Sequence, residues 1–157
     1  MPPRTPTKKL ALRRAAKLAE VCVVLKAQTV TETVAAPPDA VYDFARQMDK
    51  LPLWASGLAA GVTQENGEWF TQSPMGRVKV EMVPHNDLRV LDHEVTLPNG
   101  VKVHNAFRVT PALEYSVLTF VVLKMPGTTE EDFAKDVAHV TSDLQKLRQL
   151  LEGGQAY

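Results

Sequence analysis

With 157 residues, 45% of them hydrophobic and 23% charged, the chain has the composition of one soluble globular domain with a real core. No apolar run is long enough to cross a bilayer, and the single cysteine, Cys22, excludes an internal disulfide framework and a multi-cysteine zinc site and points to a reducing, cytoplasmic setting. The net charge of zero hides a basic start, Arg4, Lys8, Lys9, Arg13, Arg14 and Lys17 against Glu20 alone, on an acidic remainder that lacks the basic stripe with interleaved aromatics expected of a nucleic-acid binder.

Residues 1–25 are expected to be a separate basic extension. Residues 8–25 can form a helix with Leu18, Val21, Cys22 and Leu25 on one face. Three readings stay open for it: an upstream extension or misassigned start, a surface-docked helix, or a targeting segment. The Arg13-Arg14 pair is similar to a twin-arginine signal, but the apolar stretch after it is too short. The first strand is expected over 26–34, with Val30, Glu32 and Val34 on one face and threonines on the other. Pro37-Pro38-Asp39 then starts a short helix, because proline suits a first helical position and an acid suits the positive end of the helix dipole. Val41, Phe44, Ala45 and Met48 give that helix its buried face. A second short helical turn is expected at Leu51-Pro52-Leu53-Trp54.

Six strands are expected to follow, over 62–64, 68–72, 77–83, 90–97, 101–110 and 115–124. Asn66-Gly67 and Asn99-Gly100 are hairpin signals, and Ser73-Pro74-Met75-Gly76 is a turn. The period then changes. Pro126-Gly127 breaks the strand pattern, Thr128 and Glu131 read as a capping box, and Phe133, Val137, Val140, Leu144, Leu147 and Leu151 repeat at helical spacing until Gly153-Gly154. A helix with one apolar stripe must bury it, and the sheet is its only large partner. The expected class is α+β: a seven-stranded antiparallel sheet around a long C-terminal helix at 128–152, with two short helices after the first strand.

Alternation sorts the strand residues by face. Leu91, His93, Val95 and Leu97 share one face of their strand, as do Val101, Val103, Asn105, Phe107 and Val109 of the next. The apolar faces should look at the helix, which puts His93 and Asn105 among cavity-facing positions. His93 could orient a ligand or transfer a proton, since histidine titrates near neutrality. The competing reading is a structural histidine bonded to a carbonyl. Asp92, Glu94 and His104 are expected on a solvated outer face, with Arg108 also outward. Because alternation splits Asp92, His93, Glu94 and His104 between two faces, no metal site is expected. No phosphate-binding loop or dinucleotide fingerprint occurs, so no cofactor is expected. The candidate ligand-binding set is Trp54, Trp69, Met75, Val80, His93, Val103, Asn105, Tyr115, Phe133 and Val137, with Phe70 and Met125 as further apolar candidates.

The entry Ala36-Pro37-Pro38-Asp39-Ala40-Val41-Tyr42-Asp43-Phe44, the following Leu51-Pro52-Leu53-Trp54 and the Pro126-Gly127 lead into a capped final helix resemble the START-like superfamily, also called SRPBCC. The resemblance covers about residues 26–152, leaving 153–157 as a tail. It implies the helix-grip fold shared with birch-pollen-allergen proteins and the polyketide cyclase/dehydratase group. It implies a cavity but no common catalytic motif. The leading expectation is a binding protein for a small apolar or aromatic ligand, monomeric or homodimeric, without catalysis. A cofactor-independent polyketide cyclase/dehydratase-like enzyme is the first alternative, with His93, Asn105 and Arg108 as acid/base candidates. A protein-interaction module with a collapsed cavity is the second.

Overall fold

The computed structural model describes residues 25–154, so the readings of the basic segment 1–24 and of the last three residues lie outside it. In chain order the elements are β1 (Ala27–Val34), α1 (Pro38–Ala45), two 3-10 turns (Met48–Leu53 and Ser56–Leu58), β2 (Val62–Glu65), β3 (Glu68–Ser73), β4 (Gly76–Met82), β5 (His93–Thr96), β6 (Lys102–Ala112), β7 (Tyr115–Leu123) and α2 (Glu130–Glu152). The seven strands form one antiparallel sheet in the order β1-β7-β6-β5-β4-β3-β2. Six strands follow one another as a meander, and β1 closes the far edge beside β7. The helical turn expected at Leu51–Trp54 is the end of a 3-10 turn that starts at Met48 and holds Pro52, whose missing N–H and ring suit a short tight helix better than an α-helix, and a second 3-10 turn follows at Ser56–Leu58.

Turn chemistry sets the register. Asn66 and Gly67 both have positive φ, 51° and 83°, as the tight β2–β3 hairpin requires. At Pro98-Asn99-Gly100 the Leu97 N–H donates to Val101 O at 2.8 Å, closing a three-residue loop with Gly100 in the left-handed region.

The helix cap lies one residue later than the sequence spacing implied. Thr128 is used as the last residue of a turn, its N–H donating to Met125 O at 3.0 Å across Pro126-Gly127. Thr129 is therefore the N-cap: its Oγ1 accepts from the Asp132 N–H at 3.0 Å and donates to Asp132 Oδ2 at 2.9 Å.

From there α2 packs chiefly on β1 and to a lesser degree on β7. Phe133, Leu144, Leu147 and Leu151 are buried, and they share a core with Val30, Val34, Val41, Phe44, Leu51, Trp54, Leu91, Phe107, Val109 and Leu118. Polar clips fix the helix at both ends. Glu130 accepts from Lys26 at 2.5 Å and Lys124 at 2.6 Å, Arg148 pairs with Glu32, and Glu152 Oε1 accepts from the Ala35 N–H at 2.9 Å. The loop side is tied by Ser56 N–H, which donates to Asp143 Oδ1 at 3.1 Å.

The fourth expected strand, 90–97, is shorter than its hydrophobic pattern. Regular pairing of β5 stops at His93, and only an isolated bridge joins Val90 to Arg108. The cause is an exchange of hydrogen-bond partners. Leu91 N–H still donates to Phe107 O at 2.8 Å, but the Phe107 N–H donates to Asp92 Oδ1 at 2.9 Å. The Leu91 carbonyl, freed from the ladder, accepts from His93 Nδ1 at 3.0 Å. Asp92 is thereby corrected from a solvated outer residue to a buried one, 7% exposed. A side-chain acceptor standing in for a ladder carbonyl must sit against the backbone it serves.

Candidate functional site

The inner face of the sheet can be read row by row from the register. Trp69, Val80, Val95 and Val103 stand opposite one another across β3 to β6. Met82, His93 and Asn105 form the next row. Phe107 and Phe120 pair beyond them across β6 and β7. Where α2 covers β1 and β7, inner residues such as Val34, Leu118 and Val109 are fully buried. Toward β5 they are not: His93, Val95, Val103 and Asn105 are all half-buried. Midway along α2, Val137 and Val140 are half-buried as well, between the buried Phe133 and Leu144. The apolar face of the sheet and the middle of the helix are therefore incompletely closed on each other. An open depression of about 370 Å³ at the β3–β4 end is lined by Trp69, Val80 and Met82 together with Arg46, Met48, Glu68 and Glu81.

His93 stands at the head of the broken ladder. Its ring packs 6.0 Å from Phe120, centroid to centroid, and its Nδ1 meets the Leu91 carbonyl. A carbonyl can only accept, so Nδ1 carries the proton and Nε2 of the neutral ring is an acceptor. Burial pushes the imidazole below its ordinary value, and the Leu91 carbonyl and the Asp92 charge only partly offset this. Burial thus favours the neutral ring, whose Nε2 lone pair has no partner among the described residues. The carbonyl bond expected of a structural histidine is present, and it is the same bond that orients Nε2.

Trp54 follows the first 3-10 turn and lies on Phe107, with ring centroids 6.0 Å apart. Phe107 is in turn 5.6 Å from Phe120. Trp54, Phe107, Phe120 and His93 therefore form a connected set of tilted aromatic contacts. Trp54 is 7% exposed, and its Nε1–H finds no acceptor among the described residues. A buried donor without a partner is costly, and native structures hold few of them.

The structure gathers Trp54, Trp69, Val80, His93, Val103, Asn105 and Val137 on this face or at its margin. It does not bring the other candidates there. Met75 is 67% exposed in the β3–β4 turn, and Tyr115 is 49% exposed at the start of β7, one residue out of phase with the inward Ser116. Phe133 is sealed in the core under the Lys26 ammonium, 5.2 Å from its ring. Met82, Phe107 and Phe120 were missing from the candidate set. Strand alternation already put Phe107 on the inner face, but the pairing that sets it beside Phe120 and Trp54 comes from the tertiary fold.

On the outer face, Arg108 Nη2 lies 3.0 Å from Asp92 Oδ2, and His104 Nε2 lies 3.7 Å away. Burial pushes the Asp92 carboxyl up, but the Arg108 hydrogen bond and the Phe107 N–H outweigh it and hold the group below its ordinary value. Arg108 points away from the inner face, so this cluster holds the strand break and does not meet the cleft. Among the described residues no group of three His, Cys, Asp or Glu side chains converges as a metal site would need, and no helix is long and apolar enough to cross a membrane.

The fold recurs in solved structures. XoxI from Bacillus cereus superposes with a TM-score of 0.65 at 13% identity, over 82% of this chain and 97% of that one. CalU16 from Micromonospora echinospora gives 0.60 at 13%, over 82% and 76%. DynU16, encoded in the dynemicin biosynthetic locus, gives 0.61 at 19%, over 82% of this chain but 48% of its own. At such identities the likeness is one of fold. No curated protein matches the sequence. The family model described as "Polyketide cyclase / dehydrase and lipid transport" matches residues 27–152, from the first strand to the last turn of α2. The chain is a member of that family, with the START-like helix-grip fold.

Proposed function

We propose that the protein binds a small, largely apolar molecule in the cleft between the inner face of β3–β6 and the middle of α2. The observation that carries this reading is the incomplete closure of an apolar surface. Val95, Val103, Val137 and Val140 are half-buried, whereas Val34, Val109, Leu118 and Leu144 are sealed. Apolar surface left open costs about 25 cal/mol per Å², and a ligand that covers it recovers that energy. The polar groups are few, as in sites that use apolar contact for affinity and one or two hydrogen bonds for orientation. Membership of a family that includes lipid transport supports the same reading.

A specific observation favours a second role for the same cleft. His93 is neutral, half-buried and held in one tautomer, which is what a general base requires. A cyclase or dehydratase reaction on a folded poly-keto chain would need little more than such a base and a shaped wall. Titration with an environment-sensitive naphthalene probe tests binding, with saturable, roughly micromolar affinity and a negative heat-capacity change expected. His93→Ala separates the two roles. A binder should keep its affinity for apolar probes, whereas an enzyme should lose turnover by about 100-fold or more. Absence of saturable binding at every concentration below aggregation would reject the cleft as a ligand site and favour an interaction module.

A further inference from the structure

We infer that the outer face of β1, β7 and the second half of β6, on the side of the sheet away from the cleft, is a docking surface for the chain's own basic N-terminal segment, with residues 9–22 lying on it as an amphipathic helix. Nothing in this depends on what the cleft binds. β7 breaks the alternation of its neighbours: from Val117 to Leu123 every position but Thr119 is apolar, the pattern of a strand covered on both faces. Its inner residues Leu118 and Val122 are buried. Its outer residues Val117, Val121 and Leu123 are only half-buried, and the described elements that pack on β7 are its neighbours β1 and β6 and the two helices of the inner side. The register widens this outer surface. Ala27 stands beside Leu123, and Thr29 and Ala106 flank Val121. The strand positions on it carry one charge, Arg108, which is paired with Asp92. The rest of the outer face is crossed by ion pairs, Lys79 with Glu68 and Glu81 and Lys102 with Glu94.

The chain itself supplies the occupant. The described residues begin at Leu25, 54% exposed and just before β1, so the preceding segment leaves from the margin of this surface, beside Ala27 and Leu123. Ala11, Ala15, Leu18, Cys22 and Leu25 recur at 4-3-4-3 spacing, which is one face of a helix. Lys9, Arg13 and Lys17 recur four apart on the opposite side. A helix over residues 9–22 is about 21 Å long at 1.5 Å per residue. The nine residues of β7 span about 30 Å, so the face is long enough to seat it. Residues 23–26 are enough to reverse the chain, an ordinary length for a helix–strand connection. With the stripe down, small and aliphatic side chains meet the valines and threonines of the sheet, and the cations stay in water above an acidic remainder of the chain. Tethering holds the segment at an effective concentration on the order of millimolar, whereas a second copy must reach the same face from free solution.

The test uses Cys22, the chain's one cysteine, as a cross-linking handle in the full-length protein. A second cysteine enters either as Thr31→Cys, exposed on the outer face of β1, or as Glu131→Cys, exposed in the first turn of α2. The second site lies beside the Lys26–Glu130 pair, at the same end of β1 but on the opposite side of the sheet. Each protein is treated with a short bis-maleimide at low concentration, with melting curves to check the fold. Docking predicts that Cys22 joins the Thr31→Cys site within one chain about tenfold faster or more than the Glu131→Cys site. Leu18→Asp, which changes no residue of the described core, should remove that difference. Thr119→Cys, opposite Thr31 on β7, gives an independent reading if Thr31→Cys fails to fold. Equal rates on the two sides of the sheet would overturn the docking, as would a preference that survives Leu18→Asp. Products of twice the chain mass would replace the segment with a second copy on this face. Slow cross-linking at every site, with the protein sedimenting on phosphatidylserine vesicles, would assign the segment to an anionic membrane surface instead.

Discussion

The two halves of the sheet's inner face have similar sequences and different fates. On β1 and β7 the inward residues Val30, Val34, Leu118 and Val122 are buried under α2 and α1. On β5 and the first part of β6 the inward residues Val95, Val103 and His93 remain half-buried, while Phe107 and Val109 farther along β6 are buried. Both sets are mostly β-branched or apolar and both alternate with polar outward residues, so patterning alone does not separate them. The difference comes from the path of the helix. Clips at Glu130, Arg148 and Glu152 hold α2 along the β1–β7 edge, and the helix packs there. The covered half is sealed core, and the other half keeps part of its apolar surface accessible.

The largest contrast should come from one residue in each half. Leu144→Ala, in the covered half and 1% exposed, should destabilise by about 2–5 kcal/mol, read as a shift in chemical unfolding midpoint at constant slope. Lys146, two residues on and exposed, should cost under about 0.5 kcal/mol as Lys146→Ala. Equal midpoints would mean that the helix is not docked by its stripe.

The next effect sits where the two halves meet. Asp92→Ala removes the acceptor of the Phe107 N–H and the partner of Arg108, and should cost about 1–3 kcal/mol. Asp92→Asn keeps an oxygen for the N–H and should lose clearly less. If Asn and Ala were equally damaging, the charge pairing with Arg108 would outweigh the substitution of the ladder bond.

A smaller effect concerns pH. Lys124 and Lys26 hydrogen-bond Glu130 and lower its carboxyl from an ordinary 4.5 to about 2. The native state therefore binds this proton more weakly than the unfolded chain does. The stabilisation is complete above the unfolded value and is lost as pH falls through about 2. Acid titration of the melting temperature should show a fall from pH 4.5 downward that is shallower in Glu130→Gln. An unchanged slope would show that the exposed clip contributes nothing measurable, as many surface ion pairs do not.

How much of this was legible in the residues follows from the range of the interactions. The element order, the antiparallel sheet and the final helix were readable because each rests on local periodicity or on a turn such as Asn66-Gly67. The cap slipped from Thr128 to Thr129 because two adjacent threonines both precede acids, and only the Pro126-Gly127 turn decides which one is free to cap. Asp92 lies on the outer face with Arg108 and His104, as alternation implies, but its burial was not legible, because alternation assumes an unbroken ladder and the exchange at Leu91, Asp92 and His93 is invisible without the partner strand. At the site, alternation put His93, Val103 and Asn105 on the inner face. It could not reveal that Tyr115 begins its strand out of phase with the cleft, nor that Phe120 meets both Phe107 and His93.

The central claim, that the half-covered face is a ligand cleft, is tested most directly by filling it. Val103 lies on β6 opposite Val95 and two residues from Asn105, half-buried on the inner face. The measurement is the affinity of the wild-type protein and of Val103→Trp for the same naphthalene probe, with melting curves recorded beside it. A ligand cleft requires that the tryptophan weaken binding by tenfold or more while the melting temperature stays within a few degrees. Unchanged affinity in a folded Val103→Trp protein would contradict the account and place the ligand, if any, elsewhere.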